Sequence, residues 1–419
     1  MSTIPFSELF RVFGRIGLLS FGGPAAQISL MHKELVEDRP WLTEAQFLRA
    51  LSFCMLLPGP EAMQLATYSG WRLRGIAGGL IAGLLFVVPG ALVILALGLA
   101  YALWGQLPLM QAMFTGIQAA VIIIVLQALM KVSKKALKAP LDWGIAAGSF
   151  IALFAFDAPF PMVIVGAAVI GSIGTPPAQA TETPAEAGRG NYTLTVVFIG
   201  LSLWLTPLLI AYAYQASFLT QIFVFFSKLA VVTFGGAYSV LTYMTQEVVG
   251  TYQWITTEQM IDALGLAETT PGPLILVTEF VALLAGYAQG GIPQAILAAS
   301  LCLWVTFVPC FIWIFAGAPY IEKLGNAPRF AKALHAITAA VVGVILNLSI
   351  WFALHVFFAE TSLLTWGPVT LTIPQFQTLA FESVGFSLVA ALVLLWRKWD
   401  IARTIVFMAV LSAILTGLT

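Results

Sequence analysis

Leu57-Pro58-Gly59-Pro60 and Thr270-Pro271-Gly272-Pro273 are two helix-breaking stretches set inside strongly apolar sequence. Each follows a glycine pair. Ser20-Phe21-Gly22-Gly23-Pro24 precedes the first break, and Thr233-Phe234-Gly235-Gly236-Ala237 precedes the second. Gly22 to Pro58 and Gly235 to Pro271 are equally spaced. Between pair and break, Trp41, Thr43 and Gln46 fall in register on Trp254, Thr256 and Gln259. Beyond the break the register shifts once, and Pro89, Gly105, Pro108 and Ile117–Val121 then match Pro309, Gly325, Pro328 and Ile337–Val341. Rare residues recurring in register mark an internal duplication.

The surroundings of the breaks set the class. Of 419 residues, 60% are hydrophobic and 9% charged, and the mean hydropathy is +0.95. A soluble domain carries about 25% charged residues, so this chain lacks the charge to cover a globule in water. The expected fold is an all-α polytopic membrane protein. A net charge of zero argues against a nucleic-acid partner. Cys54, Cys302 and Cys310 lie in apolar runs without a CxxC or histidine partner, so they read as packing residues. The N-terminus lacks the charged-then-apolar pattern of a cleaved signal, so Met1 is expected to begin the mature chain.

A spanning helix needs about 20 apolar residues. Candidate spans run at about 10–30, 47–70, 76–103, 111–131, 142–157, 160–174, 193–213, 222–243, 262–286, 293–318, 333–357, 376–396 and 401–418, about thirteen in all. The pieces 142–157 and 160–174 are short, and a re-entrant hairpin around Asp157-Ala158-Pro159 is the alternative. Residues 175–191 form a Pro/Ala/Thr/Glu-rich linker. It separates 1–174, the first repeat with extra spans, from 192–419, the second repeat with its flanking spans. Four basic clusters, at Arg72/Arg74, Lys131–Lys138, Lys323–Lys332 and Arg397–Arg403, fall on one side in the thirteen-span scheme. By the positive-inside rule that side is the cytoplasm, with the N-terminus inside and the C-terminus outside. An odd number of spans from one repeat to the next inverts the second, the plan of many secondary transporters.

Pro-Gly-Pro within an apolar helix removes N–H donors and leaves carbonyls unpaired. Hydrocarbon tolerates this only where protein or a wet cavity satisfies them. Pro60 and Pro273 suit the first position of a new half-helix. The free N–H groups after them, with the positive end of the helix dipole, suit an anion. A structural kink without a ligand is the plainer alternative. Gly22-Gly23 and Gly235-Gly236 permit tight turns or close helix packing, and Ser20 and Thr233 offer hydroxyls. Arg15 and Lys228 occupy equivalent positions and either flank an anion path or snorkel to the interface. The expected anion site thus draws on Ser20, Gly22, Gly23, Pro58, Gly59, Pro60 and Glu61 from the first half. From the second it draws on Thr233, Gly235, Gly236, Thr269, Thr270, Pro271, Gly272 and Pro273. Intramembrane carboxylates are costly and often functional, which makes Glu61, Glu268 and Glu279 candidate proton carriers. Lys33, Glu34, Glu37, Asp38 and Arg39 read as a solvated loop cluster. The chain has no phosphate-binding GxxxxGK[ST] loop and no paired-histidine metal motif, so neither ATP, a metal nor another cofactor is expected, nor is an enzyme.

The Phe-Gly-Gly at 21–23 and 234–236, the Trp-Leu/Ile-Thr at 41–43 and 254–256, and the two Pro-Gly-Pro breaks resemble the chromate ion transporter family in its long, two-repeat form. The resemblance covers nearly the whole chain. It implies efflux of chromate from the cytoplasm across the inner membrane, conferring resistance, with sulfate as the physiological look-alike. A homodimer is compatible with it. It also implies two homologous halves of opposite orientation. Here the halves differ around the break: Met55-Leu56-Leu57 faces Glu268-Thr269-Thr270, and Glu61 faces Leu274, so a strictly two-fold site is not expected. Alternatives from the residues alone are a sulfate or other oxyanion transporter, a passive anion channel, and a membrane enzyme acting on a lipid phosphate.

Overall fold

A computed structural model describes residues 4–173, 190–232, 234, 237–321 and 328–416. The first half contains α1 (Phe6–Leu19), α2 (Gly23–His32), α3 (Glu44–Cys54), α4 (Glu61–Trp104), α5 (Pro108–Ala136), α6 (Pro140–Phe156) and α7 (Phe160–Ile173). After the linker come α8 (Gly190–Ala213), α9 (Ser217–Val232), α10 (Ala237–Thr245), α11 (Thr257–Thr269), α12 (Val277–Gly317) and α13 (Pro328–Phe357). The strands β1 (Thr361–Trp366) and β2 (Val369–Pro374) follow, then α14 (Phe381–Ala391) and α15 (Ile401–Thr416). Among the described residues five helices are long and apolar enough to cross a membrane: Glu61–Trp104, Pro108–Ala136, Asn191–Ala213, Leu274–Tyr320 and Lys332–Phe357. Shorter apolar helices accompany them. The chain is a multi-pass membrane protein.

The duplication is visible in local structure. Thr43 and Gln46 bond each other's backbone N–H at the start of α3, and Thr256 and Gln259 do the same at the start of α11. These reciprocal bonds satisfy two donors that a helix start leaves free. A π-helical turn ends α2 at Lys33–Glu37 and α10 at Gln246–Thr251. The N–H of Trp41 then reaches back to Leu35 O, as that of Trp254 reaches Val248 O. Both breaks lead into a helix that folds back on itself. Helix α4 reverses at Arg74-Gly75 and α12 at Gly290-Gly291, with φ of +64° at Gly75 and +68° at Gly291. Only glycine takes that conformation without strain. The arms touch through small residues: a Cβ on Gly70 would lie 2.2 Å from Gly78 O, and one on Gly286 would lie 2.5 Å from Gln294 O.

Four expected spans are therefore not continuous helices. The stretch 10–30 breaks between α1 and α2, where Gly22 and Gly23 take φ of +84° and +77°. The stretch 222–243 breaks between α9 and α10, while 47–70 and 262–286 break at the Pro-Gly-Pro motifs. An all-α chain was also expected, yet Thr361–Pro374 forms an antiparallel hairpin pairing Thr361 with Pro374 and Trp366 with Val369. Its sequence alternates β-formers around a two-residue Gly367-Pro368 turn, and Gly367 has φ +60°, as a tight hairpin turn beginning with glycine requires.

The chain divides into two compact units, each drawing on both repeats. Unit 1 comprises Met1–Leu99, Pro176–Ala237 and Thr270–Pro328. Within it α12 packs on α8 and α9, and every residue from Pro271 to Gly286 is buried. Helix α8 instead exposes Leu194, Phe198 and Leu209, as a lipid-facing helix should. Unit 2 comprises Ala100–Thr175, Tyr238–Thr269 and Arg329–Thr419. There α5 packs against α11, α14 and α15. The pair α6 and α7 turns at Asp157, and Ala146 on α6 lies against Gly343 of α13.

Candidate functional site: two breaks and two buried amides

Both Pro-Gly-Pro breaks belong to unit 1. At the second, Gly272 turns the chain with φ +91° and donates its N–H to Ser20 O at 2.9 Å. The Gln27 side chain closes the same corner, donating Nε2 to Gly272 O at 2.7 Å and to Ser20 O at 3.2 Å. The glycine-pair turn of the first repeat thus holds the break of the second. Pro271 leans on α4, where a Cβ at Gly90 would lie 2.2 Å from Pro271 O.

The first break uses the matching surface. Gly59 takes φ +112°, and a Cβ on it would lie 2.7 Å from Cys310 Sγ on α12. Gly90 and Cys310 are equivalent positions, each directly after a matched proline, Pro89 or Pro309. Each break therefore rests on the other repeat's long helix at the same place. Gln64 Nε2 donates to Pro58 O at 2.7 Å, and Gln64 N–H closes the first helical turn onto Pro60 O. A helix start generally leaves its first N–H groups without an intrahelical carbonyl.

Gln27 and Gln64 are 1% and 0% exposed, and the Oε1 atom of each lacks a hydrogen-bond partner among the described residues. A buried polar atom left unmatched costs about 1–3 kcal/mol and marks a place for water or ligand. Glu279, six residues past Pro273 and near Cys302, is 1% exposed, and its Oε2 is likewise unpartnered.

The other expected residues are placed as follows. Ser20 is buried at the second break, and Gly22 and Gly23 form the turn beside it. Thr270 is buried, and Thr269 Oγ1 donates to Leu266 O at 2.7 Å. Glu61 is half-buried and Glu268 is buried. Arg15 lies apart from both breaks' contacts and pairs with Glu34 at 3.3 Å, while Lys228 is exposed on α9. Thr233, Gly235 and Gly236 lie outside the described residues. The loop cluster expected to be solvated is partly internal: Glu34 is 2% exposed and is held by both Arg15 and Arg39. A charge buried this far needs such partners. Sequence reasoning passed over Gln27, Gln64, Gly90 and the burial of Glu34. The amides carried a signal, since each is a polar side chain within an apolar run, close to a glycine turn or a break.

No solved structure matches the chain. The family model described as chromate transporter matches residues 7–172 and 220–418, which leaves out the linker and α8. A probable chromate transport protein of Synechococcus elongatus is 33% identical over 341 residues, 81% of this chain and 82% of that one. A chromate transport protein of Cupriavidus metallidurans is 33% identical over 355 residues, covering 82% and 81%. One from Pseudomonas aeruginosa is 30% identical over 347 residues, covering 81% and 79%. With a broken helix in each half and a family match that covers both, this chain belongs to the chromate transporter family.

Proposed function

We propose that this protein is a secondary transporter that exports chromate from the cytoplasm and so confers resistance, with sulfate as a competing substrate. The observation that carries the reading is the pair of helix breaks, each docked on the other repeat's long helix and each closed by a buried amide with an unpartnered oxygen. Backbone donors after Pro60 and Pro273 form the oxyanion cradle. Gly22-Gly23 and Ser20 shape the second side, and by the register of the repeat alone Thr233 and Gly235-Gly236 are assigned to the anion site. Arg15 and Lys228 supply longer-range attraction. Glu279, a buried carboxyl beside neither lysine nor arginine among the described ion pairs, carries a proton, with Glu61 and Glu268 as further carriers.

Energetics favour export. Moving one charge through 100 mV is worth about 2.3 kcal/mol, so a dianion leaving an inside-negative cell gains about twice that, roughly 4.6 kcal/mol per 100 mV. The potential alone can drive efflux, and proton exchange adds to it. The reciprocal contacts at Gly90 and Cys310 support a two-fold relation between the repeats. The odd span count of the thirteen-span scheme makes that relation an inversion, with the N-terminus cytoplasmic and the C-terminus outside the inner membrane. A homodimer is compatible with the lipid-exposed α8.

Uptake of labelled chromate by inside-out vesicles tests the cradle. Pro58→Ala and Pro271→Ala should each reduce it severely, and unchanged uptake in both would falsify the reading. A flux insensitive to an imposed pH gradient, with conductance proportional to voltage, would make the protein a passive channel instead.

A further inference from the structure

A buried carboxylate in unit 2 stands outside the groups assigned so far. Asp262, on α11, is 5% exposed. Tyr101, near the end of α4, donates its hydroxyl to Oδ2 at 2.7 Å, and Gln118 of α5 donates Nε2 to Oδ1 at 2.8 Å. Both partners are neutral, and no lysine, arginine or histidine pairs with Asp262 among the described residues. The setting is tight: a Cβ on Gly265, one turn on, would lie 2.3 Å from Ile117 Cγ2 of α5. Glu258, of the same sign, stands a turn earlier on α11. Helices α5 and α15 pack against α11. The charges of α5, Lys131, Lys134 and Lys135, lie more than three turns beyond Gln118, and Arg403 of α15 stacks on Trp399.

An ionised carboxylate held from water without a cation is costly, and two neutral donors offset only part of that cost. Each oxygen keeps a further lone pair. A proton delivered from water binds there and takes the group from −1 to 0 without breaking a bond in the protein. Its return to water reverses the step. The duplication isolates this feature: the aligned residue of the first repeat is Arg49, which is exposed. Helix α11 (Thr257–Thr269) carries Asp262, and in sequence the break at Thr270–Pro273 follows its end.

We propose that Asp262 is a proton-binding site, taking up and releasing a proton that is exchanged for the oxyanion; the second part rests on the transport reading above. Infrared pH-difference spectra of the full chain in lipid test the first part. A protonated-carboxyl band should appear that is absent in Asp262→Asn and shifted in Tyr101→Phe, which keeps the carboxylate but removes one donor. Spectra of Asp262→Asn identical to wild type would overturn the site. Chromate accumulation in voltage-clamped vesicles tests the coupling. With one proton exchanged per anion, the accumulation ratio should change about tenfold per unit of pH gradient. Asp262→Asn should lose that dependence, and Tyr101→Phe should move the pH profile to higher pH. A tenfold dependence kept in Asp262→Asn, or an unmoved profile in Tyr101→Phe, would overturn it. If the wild type accumulates no chromate under any gradient, the transport reading falls, while the infrared band still decides whether Asp262 binds a proton.

Discussion

The two breaks share a sequence but differ in how they are closed. The first is closed locally: Gln64, four residues past Pro60, folds back to Pro58 O. Leu57, Pro58 and Pro60 are half-buried there, and Met55 is exposed. The second is closed from far along the chain, by Ser20 O and Gln27, and Thr270 through Pro273 are all buried. The same backbone interruption thus serves once as a partly open mouth and once as a sealed corner. On the proposed cradle, the half-buried first break is the side an anion meets first. The second must open before its donors meet water, and opening it means parting Gln27 from Gly272.

The largest effect is expected where backbone meets backbone. Gly90→Ala places a methyl group on Pro271 O and against Leu276. Such overpacking costs about 1–3 kcal/mol or more, and about 1.4 kcal/mol is a factor of ten, so chromate flux should fall by about tenfold or more. The equivalent Cys310→Ala removes bulk from the first break instead and should leave flux within about twofold. Equal losses in both variants would erase the distinction between a sealed and an open break.

A smaller contrast separates the two amides. Gln27→Leu strands the buried Gly272 carbonyl, at a cost of about 1–3 kcal/mol. Gln64→Leu frees the carbonyl of Pro58, which is half-buried rather than sealed. Thermal unfolding of the detergent-solubilised protein should therefore show a clear drop for Gln27→Leu and a slight one for Gln64→Leu. The reverse order would mean that the first break is the sealed one.

The contrast also shows what a sequence can disclose. The breaks and the apolar, largely helical character of the chain were legible, because proline, glycine and hydropathy act through the backbone and through solvent, locally. The Thr43/Gln46 and Thr256/Gln259 matches were visible as well, and their meaning as helix caps follows from spacing alone. What was not legible depends on partners distant in the chain. Glu34 looked like one charge in a solvated loop until Arg15 and Arg39 closed on it. Asp262 stands out only through Tyr101 and Gln118, which meet it from α4 and α5. The π-helical turns and the reversals at Gly75 and Gly291 leave no periodicity to read, since each occupies only a few residues.

Caps offer a control in which the halves should agree. Thr43→Ala and Thr256→Ala each remove one side-chain acceptor from an exposed helix start. Each should cost about 1 kcal/mol, read as closely matched shifts in unfolding temperature. A large difference would show that α3 and α11 are not supported alike, and the comparison of their breaks would then need correcting for it.

The smallest predicted effect is a pH dependence confined to the first half. At the end of α2, protonated His32 donates Nε2–H to Glu44 (2.6 Å) and Nδ1–H to Glu37 (3.1 Å). The hydrogen bond to Glu44 raises its pKa above the ordinary 6.5; partial burial opposes the shift, and the charges of Glu44 and Glu37 add to it. A raised folded-state pKa means the protonated form is the one stabilised on folding. The contribution is therefore complete below the unfolded value of 6.5 and disappears as pH rises through the higher folded value. The group is exposed enough for solvent to screen the pair, so the change is small. The aligned residue of the second half is Thr245, which cannot titrate. Unfolding temperature measured across neutral pH should decline slightly more in wild type than in His32→Gln. An identical decline in both would place the pH sensitivity elsewhere, in groups the two halves share.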